Sequence, residues 1–337
     1  MKTIRWGIIG CGDVTEVKSG PGFRKAANSE LLAVMRRDGA LAADYARRHG
    51  VPRWHDDAEA IIGAGDIDAV YVATPPESHR DYVLRCAAAG KPVLVEKPMA
   101  LDHAQCAAMS ESCRNAGVPL WVAYYRRALP GFLAVRDLVH GGAIGAVRAV
   151  VSRQFQPGRT PQQMNPGSPP WRVDAAFSGG GPFVDMTSHT LDFLDSLFGP
   201  IERVCGMAAN LGEAWAPEDT VSASYRFASG VHGSGTWCYA ADRDEEWTEI
   251  VGAGGRLAFS MFKPVPIRVT RGDAVEEIPV GDPPHVHQPL IETIVGEMNG
   301  GGACPSTGES AARTTRVIDE ILREFRAQSA TRTGEPR

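Results

Sequence analysis

At 337 residues, with 43% hydrophobic and 22% charged side chains, the chain has the make-up of an ordinary globular protein and the length of about two domains. A formal charge of −5 argues against a broad nucleic-acid-binding face, and no run approaches the ~18 apolar residues that would cross a bilayer. Seven scattered cysteines without CxxC spacing argue against a zinc knuckle or a redox dithiol and fit reduced thiols in the cytoplasm.

The first half alternates strand and helix. Ile4 to Ile9 is short, apolar and bounded by glycine. Basic residues precede it, but it is too short for a signal peptide and runs into Gly10-Cys11-Gly12, so it reads as a strand. Leu31–Met35, Ala69–Ala73, Pro92–Val95 and Leu120–Ala123 are further apolar runs, suited to strands buried on both faces of a parallel sheet. Helical stretches lie between them at Leu41–His49, Ser78–Ala89 and Asp102–Ala116, each stopped by glycine. This alternation predicts a doubly wound α/β domain.

Gly10-Cys11-Gly12-Asp13-Val14-Thr15 follows the first strand. It keeps two glycines of GxGxxG and has Thr15 in the third place. Gly10 suits the tight turn. Gly12, with Asp13 and Val14 opening the next helix, suits the approach of backbone N–H groups to a pyrophosphate. The second strand ends in Met35-Arg36-Arg37-Asp38. Arg36 takes the place where an acidic residue would hold the adenosine ribose, and Arg36 with Arg37 suits a 2′-phosphate. The expected cofactor is therefore NADP, with NAD the alternative if Asp38 takes the ribose. Thr74-Pro75 forms a rigid turn after the third apolar run and is expected to line a nicotinamide pocket. Glu96-Lys97-Pro98 follows the fourth. Lys97 there can stabilise negative charge developing on oxygen, and both Glu96 and Lys97 count among the candidate cofactor contacts.

From Ile144 the pattern changes to longer strand-like runs separated by turns: Ala146–Phe155, Ile201–Ala208, Thr220–Phe227, Val231–Tyr239, Trp247–Val251, Arg256–Phe259 and Ile267–Thr270. These predict hairpins in an antiparallel sheet. Gln156 to Asp174 reads as a long loop ending in Trp171-Arg172. Those two residues, with Tyr124 just after the last strand of the first half, are candidate substrate contacts. Gly179-Gly180-Gly181-Pro182 then opens a helix carrying Asp185 and His189 at i and i+4, a carboxylate and an imidazole on one face, suited to proton transfer near neutral pH. His285 and His287 lack a carboxylate or cysteine at ligand spacing, so no metal is expected. An amphipathic helix from Ser310 to Ala327 and a polar tail close the chain.

Gly10-Cys11-Gly12, Ala73-Thr74-Pro75-Pro76, Glu96-Lys97-Pro98, Trp171-Arg172 and Gly179-Gly180-Gly181 leading to Asp185 and His189 run in the order found in the Gfo/Idh/MocA oxidoreductases, which the chain resembles over nearly its whole length. The resemblance implies a Rossmann domain (1–123), an α+β domain with a large, open, mainly antiparallel sheet (124–309), and a last helix (310–330) packing back on the first domain. It implies Lys97, Asp185 and His189 as the catalytic group, with the latter two also touching substrate. It further implies NAD(P)-dependent hydride transfer to or from a sugar, cyclitol or dihydrodiol, no membrane partner, and a homodimer or homotetramer formed through the sheet. Two other readings stay open: a redox-neutral NAD-dependent glycosidase on the same fold, and a cofactor-sensing regulatory protein without turnover.

Overall fold

The computed structural model describes residues 1–160, 163 and 171–333. Part of the expected Gln156–Asp174 loop and the end of the polar tail fall outside them. The chain forms two compact units. One comprises Met1–Ala100, Ala104–Leu129 and Asp282–Ala312; the other comprises Leu101–His103, Pro130–Gly281 and Arg313–Arg337. Among the described residues no helix is long and apolar enough to cross a membrane.

In the first unit six strands, β1 (Ile4–Ile9), β2 (Ser29–Met35), β3 (Arg53–His55), β4 (Ala69–Val72), β5 (Val93–Val95) and β6 (Leu120–Val122), pair in the order β3-β2-β1-β4-β5-β6. Every pair is parallel. The apolar runs become strands because both faces are covered: β4, β5 and β6 are buried at every residue. The sequence does not signal β3, a three-residue edge strand with no fully buried residue. The Gly39–His49 helix is set by its ends. Asp38 accepts from the Leu41 N–H, and Gly50 closes it at φ 62°.

The unit boundaries depart from the sequence division. The first unit runs on to Leu129 and recruits Asp282–Ala312, because that segment closes the β6 edge. Ser306 Oγ donates to Val122 O at 2.7 Å, Trp121 Nε1 donates to Glu297 Oε2 at 3.0 Å, and Thr307 bridges to Trp121. An edge left open would present unpaired backbone groups. The last helix, Gly308–Thr333, is longer than expected, and from Arg313 onward it groups with the second unit rather than the first. There Arg313 pairs with Asp195, and a Cβ on Gly206 would come within 2.8 Å of Ile321.

The second unit is built on eight strands: β7 (Val147–Pro157), β8 (Ile201–Ala209), β9 (Thr220–Phe227), β10 (His232–Ala241), β11 (Glu245–Gly252), β12 (Arg256–Phe259), β13 (Ile267–Arg271) and β14 (Ala274–Ile278). Their order is β14-β13-β12-β11-β7-β10-β9-β8, antiparallel throughout except for β7 with β10. The mainly antiparallel sheet is as expected. β14 adds a strand without an inward apolar face, four of its five residues being exposed. One face of the sheet carries the core. In β9 Val221, Ala223, Tyr225 and Phe227 are buried in alternation. Aromatic side chains join sheet to helix: Phe193 meets Phe259 edge-on at 5.9 Å, and Phe198 lies 5.2 Å from Phe227. The Ser188–Phe198 helix is therefore held by the sheet, with ten of its eleven residues buried.

Candidate functional site

Each unit contributes chemistry of its own. In the first, the strand order reverses direction between β1 and β4, and ligands of open α/β sheets bind outside the carboxyl ends of the strands at such a reversal. Gly10 ends β1 at φ 93°. Its missing Cβ lets Thr74 approach, since a Cβ would lie 2.9 Å from the Thr74 backbone nitrogen. Gly12 is different: a Cβ there would meet nothing closer than Gly10 O at 4.0 Å. Its vacant side is open to a ligand rather than occupied by protein. Thr15, in the third glycine place, is buried and donates from Oγ1 to Gly12 O at 2.8 Å. Close helix packing is supplied instead by Gly20, whose Cβ would strike Thr15 O and the Tyr45 hydroxyl. The helix after the turn is correspondingly short, Asp13–Val17.

Arg36 is exposed and reaches back over the turn, Nη1 lying 3.4 Å from Cys11 O. Arg37 is exposed beside it, and Asp38 is committed to the helix cap. Cys11 is buried, and desolvation pushes its thiol up to about 11.

Thr74-Pro75 follows β4 and Lys97 follows β5, so both turns emerge at the same end of neighbouring strands. His79 joins them. Its ring is buried, with Nε2 2.7 Å from Thr74 O and Nδ1 3.1 Å from Pro98 O. Burial lowers its pKa, although the backbone contacts oppose that. Lys97-Pro98 is a cis peptide and Lys97 is half-buried.

Glu96, expected among the cofactor contacts, is turned inward. It is 7% exposed, takes the Tyr71 hydroxyl and accepts the Lys97 N–H at 3.1 Å. Burial raises its pKa, opposed first by the Tyr71 hydrogen bond and then by the Lys97 charge. His287, which the sequence offered only as a weak metal candidate, is buried 3.6 Å from Glu96 and stacks on Tyr125 at 4.5 Å. Desolvation, then the Lys18, Lys97 and Arg126 cations, pushes it down to about 3. Tyr71, Glu96 and His287 thus form a buried support behind Lys97. Tyr124, the expected substrate contact, is 1% exposed.

In the second unit the Arg172 guanidinium lies 4.5 Å over the Trp171 ring. A short Ala175–Ser178 helix, capped by Asp174, leads into the three glycines. Asp185 falls in a π-turn, Phe183–Thr187, and His189 in the α-helix that continues it. Bonding i→i+5 makes four residues fall just short of a full turn rather than just past it, so the two side chains keep a common side although the segment is not one regular α-helix. π-turns inside α-helices occur often at functional sites. His189 is 4% exposed, and the Phe262 ring lies edge-on to it at 6.2 Å. Asp185 is half-buried. The sequence missed Glu218, which is buried beneath the glycines and accepts the Gly181 N–H at 2.8 Å. It lies 37 residues from its partner, and no local pattern links them.

Comparison with known proteins agrees with this division. Residues 4–124 match the oxidoreductase family with an NAD-binding Rossmann fold, and residues 132–258 match the GFO/IDH/MocA C-terminal domain. Oxidoreductase P35 of Formosa agariphila is 38% identical, over 94% of this chain and 97% of that one. The 1,5-anhydro-D-fructose reductase of Ensifer adhaerens is 30% identical, over 90% of this chain and 91% of that one. The aldose-aldose oxidoreductase of Caulobacter crescentus, solved with glycerol, superposes with a TM-score of 0.85 at 26% identity, covering 97% and 98% of the two chains.

Proposed function

The chain belongs to the GFO/IDH/MocA oxidoreductases, with their NAD-binding Rossmann fold, and from that premise we propose that it interconverts a secondary alcohol and a carbonyl on a polyhydroxylated small molecule. The substrate class follows the named activities of its relatives, one on an anhydro sugar and one on aldoses. The observation that carries the reading is the pairing of Gly12's open side after β1 with Lys97 after β5, both at the carboxyl ends of parallel strands that flank β4 beside the reversal. The nicotinamide cofactor supplies the hydride chemistry when bound.

The chain's own residues do the rest. Gly10, Gly12, Asp13 and Val14 hold the pyrophosphate. Arg36 and Arg37 favour the 2′-phosphate of NADP, because Asp38 is already spent on the helix cap. Thr74 and Pro75 border the nicotinamide. Lys97 hydrogen-bonds the reacting oxygen and stabilises its alkoxide character. His189 takes the hydroxyl proton in oxidation and returns it in reduction, and Asp185 binds a neighbouring hydroxyl or orients the imidazole. Tyr124, Trp171 and Arg172 complete the substrate contacts. The exposed Met207 on β8 supports a homodimer or homotetramer formed through the second sheet, which the mass in solution tests. The scattered, mostly buried cysteines support a cytoplasmic setting.

A panel of aldoses, anhydro sugars, cyclitols and dihydrodiols assayed with NADP⁺ and NADPH tests the activity. Net change in nicotinamide absorbance with at least one of them is the expected result. Release of an aglycone from a glycoside with no net cofactor change would replace the reading with the redox-neutral one. Cofactor binding with no turnover on any compound would favour a sensor.

A further inference from the structure

The three glycines before Asp185 are each held by a different side chain. Arg326 Nη2 donates to Gly179 O at 2.8 Å, Ser178 Oγ donates to Gly180 O at 2.5 Å, and the Gly181 N–H donates to Glu218 Oε1 at 2.8 Å. The packing leaves no slack. A Cβ on Gly180 would lie 2.3 Å from Val184 Cγ2 and 3.1 Å from Glu218 Oε1, and one on Gly181 would lie 2.3 Å from Glu218 O. Arg326 is itself anchored, Nη1 lying 2.7 Å from Asp319 Oδ1, while Asp319 Oδ2 accepts the His103 N–H at 2.8 Å. A carboxylate thus grips the amide side of the run and a guanidinium grips its carbonyl side. The helical segment 183–198 starts from that grip.

We propose that Glu218 and Arg326 are positioning residues: a two-sided clamp on the glycine run that fixes where the helix bearing Asp185 and His189 begins. The proposal rests on the reading of Asp185 and His189 as groups that meet substrate. Small displacements of such groups are costly to turnover, and a run of three glycines has the least intrinsic stiffness of any sequence. The clamp supplies the stiffness that the glycines lack. Glu218 is 2% exposed. Arg326 faces it from the last helix, while Asp185, Glu218 and Glu246 all act on the Tyr239 hydroxyl. Burial pushes the Glu218 carboxyl up to about 7, so the grip on Gly181 changes from carboxylate to carboxylic acid close to neutral pH.

Hydrogen exchange of the peptide spanning residues 178–189, read by mass spectrometry alongside steady-state kinetics, tests this in the wild type and in Glu218→Gln, Glu218→Ala and Arg326→Met. The expected result is that Glu218→Ala and Arg326→Met each speed exchange and lower kcat by about tenfold, with the cofactor KM little changed. Glu218→Gln, a neutral acceptor of the same shape, restores both and flattens the pH dependence of kcat between about pH 6 and about pH 8. If Glu218→Ala does not fold, Arg326→Met carries the same test. Unchanged exchange in Glu218→Ala or Arg326→Met overturns the clamp. Faster exchange with unchanged kcat overturns the positioning role. A wild type without turnover removes the reading of the site, while the exchange result still decides the clamp.

Discussion

The two glycine turns of this chain look alike in sequence and are built for opposite purposes. At Gly12 the missing side chain leaves open space; at Gly180 and Gly181 it leaves none. On the proposed reading the first turn is bare so that a ligand can come close; the second is bare so that protein can. In the first unit the absence of atoms would be the binding feature. In the second it allows a buried carboxylate and a guanidinium to grip backbone and aim a helix. The elements that follow differ as well: the helix after the first turn is only five residues long, whereas the second turn launches a helical segment that the sheet buries almost completely.

Substitutions test this contrast. The largest effect is expected from the chemistry that each turn serves. Lys97→Met and His189→Ala should each cut kcat by ~10²–10⁴ while leaving cofactor dissociation constants nearly unchanged; near-normal turnover in either variant would refute its assignment.

Next is the pH dependence of stability. Glu218 has its pKa raised from 4.5 to about 7, so the folded protein holds a proton that the unfolded chain has released. Between those values stability falls as pH rises, by about 3 kcal/mol in all. Glu218→Gln has no charge to bury, so its stability relative to the wild type should grow by about that amount from low pH to slightly alkaline pH in urea titrations. A difference that stays flat with pH would contradict the buried carboxylate.

The glycines themselves come third. Gly181→Ala drives a Cβ into the Glu218 backbone and should cost ~1–3 kcal/mol of stability. Gly12 already has an extended φ of −144°, so Gly12→Ala should leave Tm almost unchanged and weaken cofactor binding about tenfold or more. The smallest effect tests the arginine pair. Arg36→Asp should shift the ratio of NADPH to NADH dissociation constants about tenfold towards NADH, and an unchanged ratio would return the ribose to other hands.

Much of the first unit was legible because its signals are local. Strand, glycine turn and helix follow one another within a few residues, and Lys97 announces itself by following an apolar run. The second sheet was legible from alternation, down to the bounds of β9 and β12. What stayed hidden is what depends on distant partners or lacks a hydrophobic signature. β3 and β14 are polar edge strands. The return of Asp282–Ala312 to the first unit is driven by closure of the β6 edge, which no local pattern encodes. His287 and Glu218 act through residues far away in sequence, so neither had a neighbour to give it away. The inward turn of Glu96 was also hidden, because the pattern Glu-Lys-Pro says nothing about which way the glutamate points; the Tyr71 hydroxyl draws it inward.

Net hydride transfer between nicotinamide and a carbinol carbon can be followed with an isotope. The probe is NADPH carrying deuterium at both positions of the hydride-bearing ring carbon, incubated with the carbonyl form of an active substrate. The expected result is one deuterium on the new carbinol carbon for each cofactor oxidised, with incorporation by His189→Ala over the same time lower by ~10²–10⁴. Substrate turnover that places no deuterium on the product carbon would contradict hydride transfer.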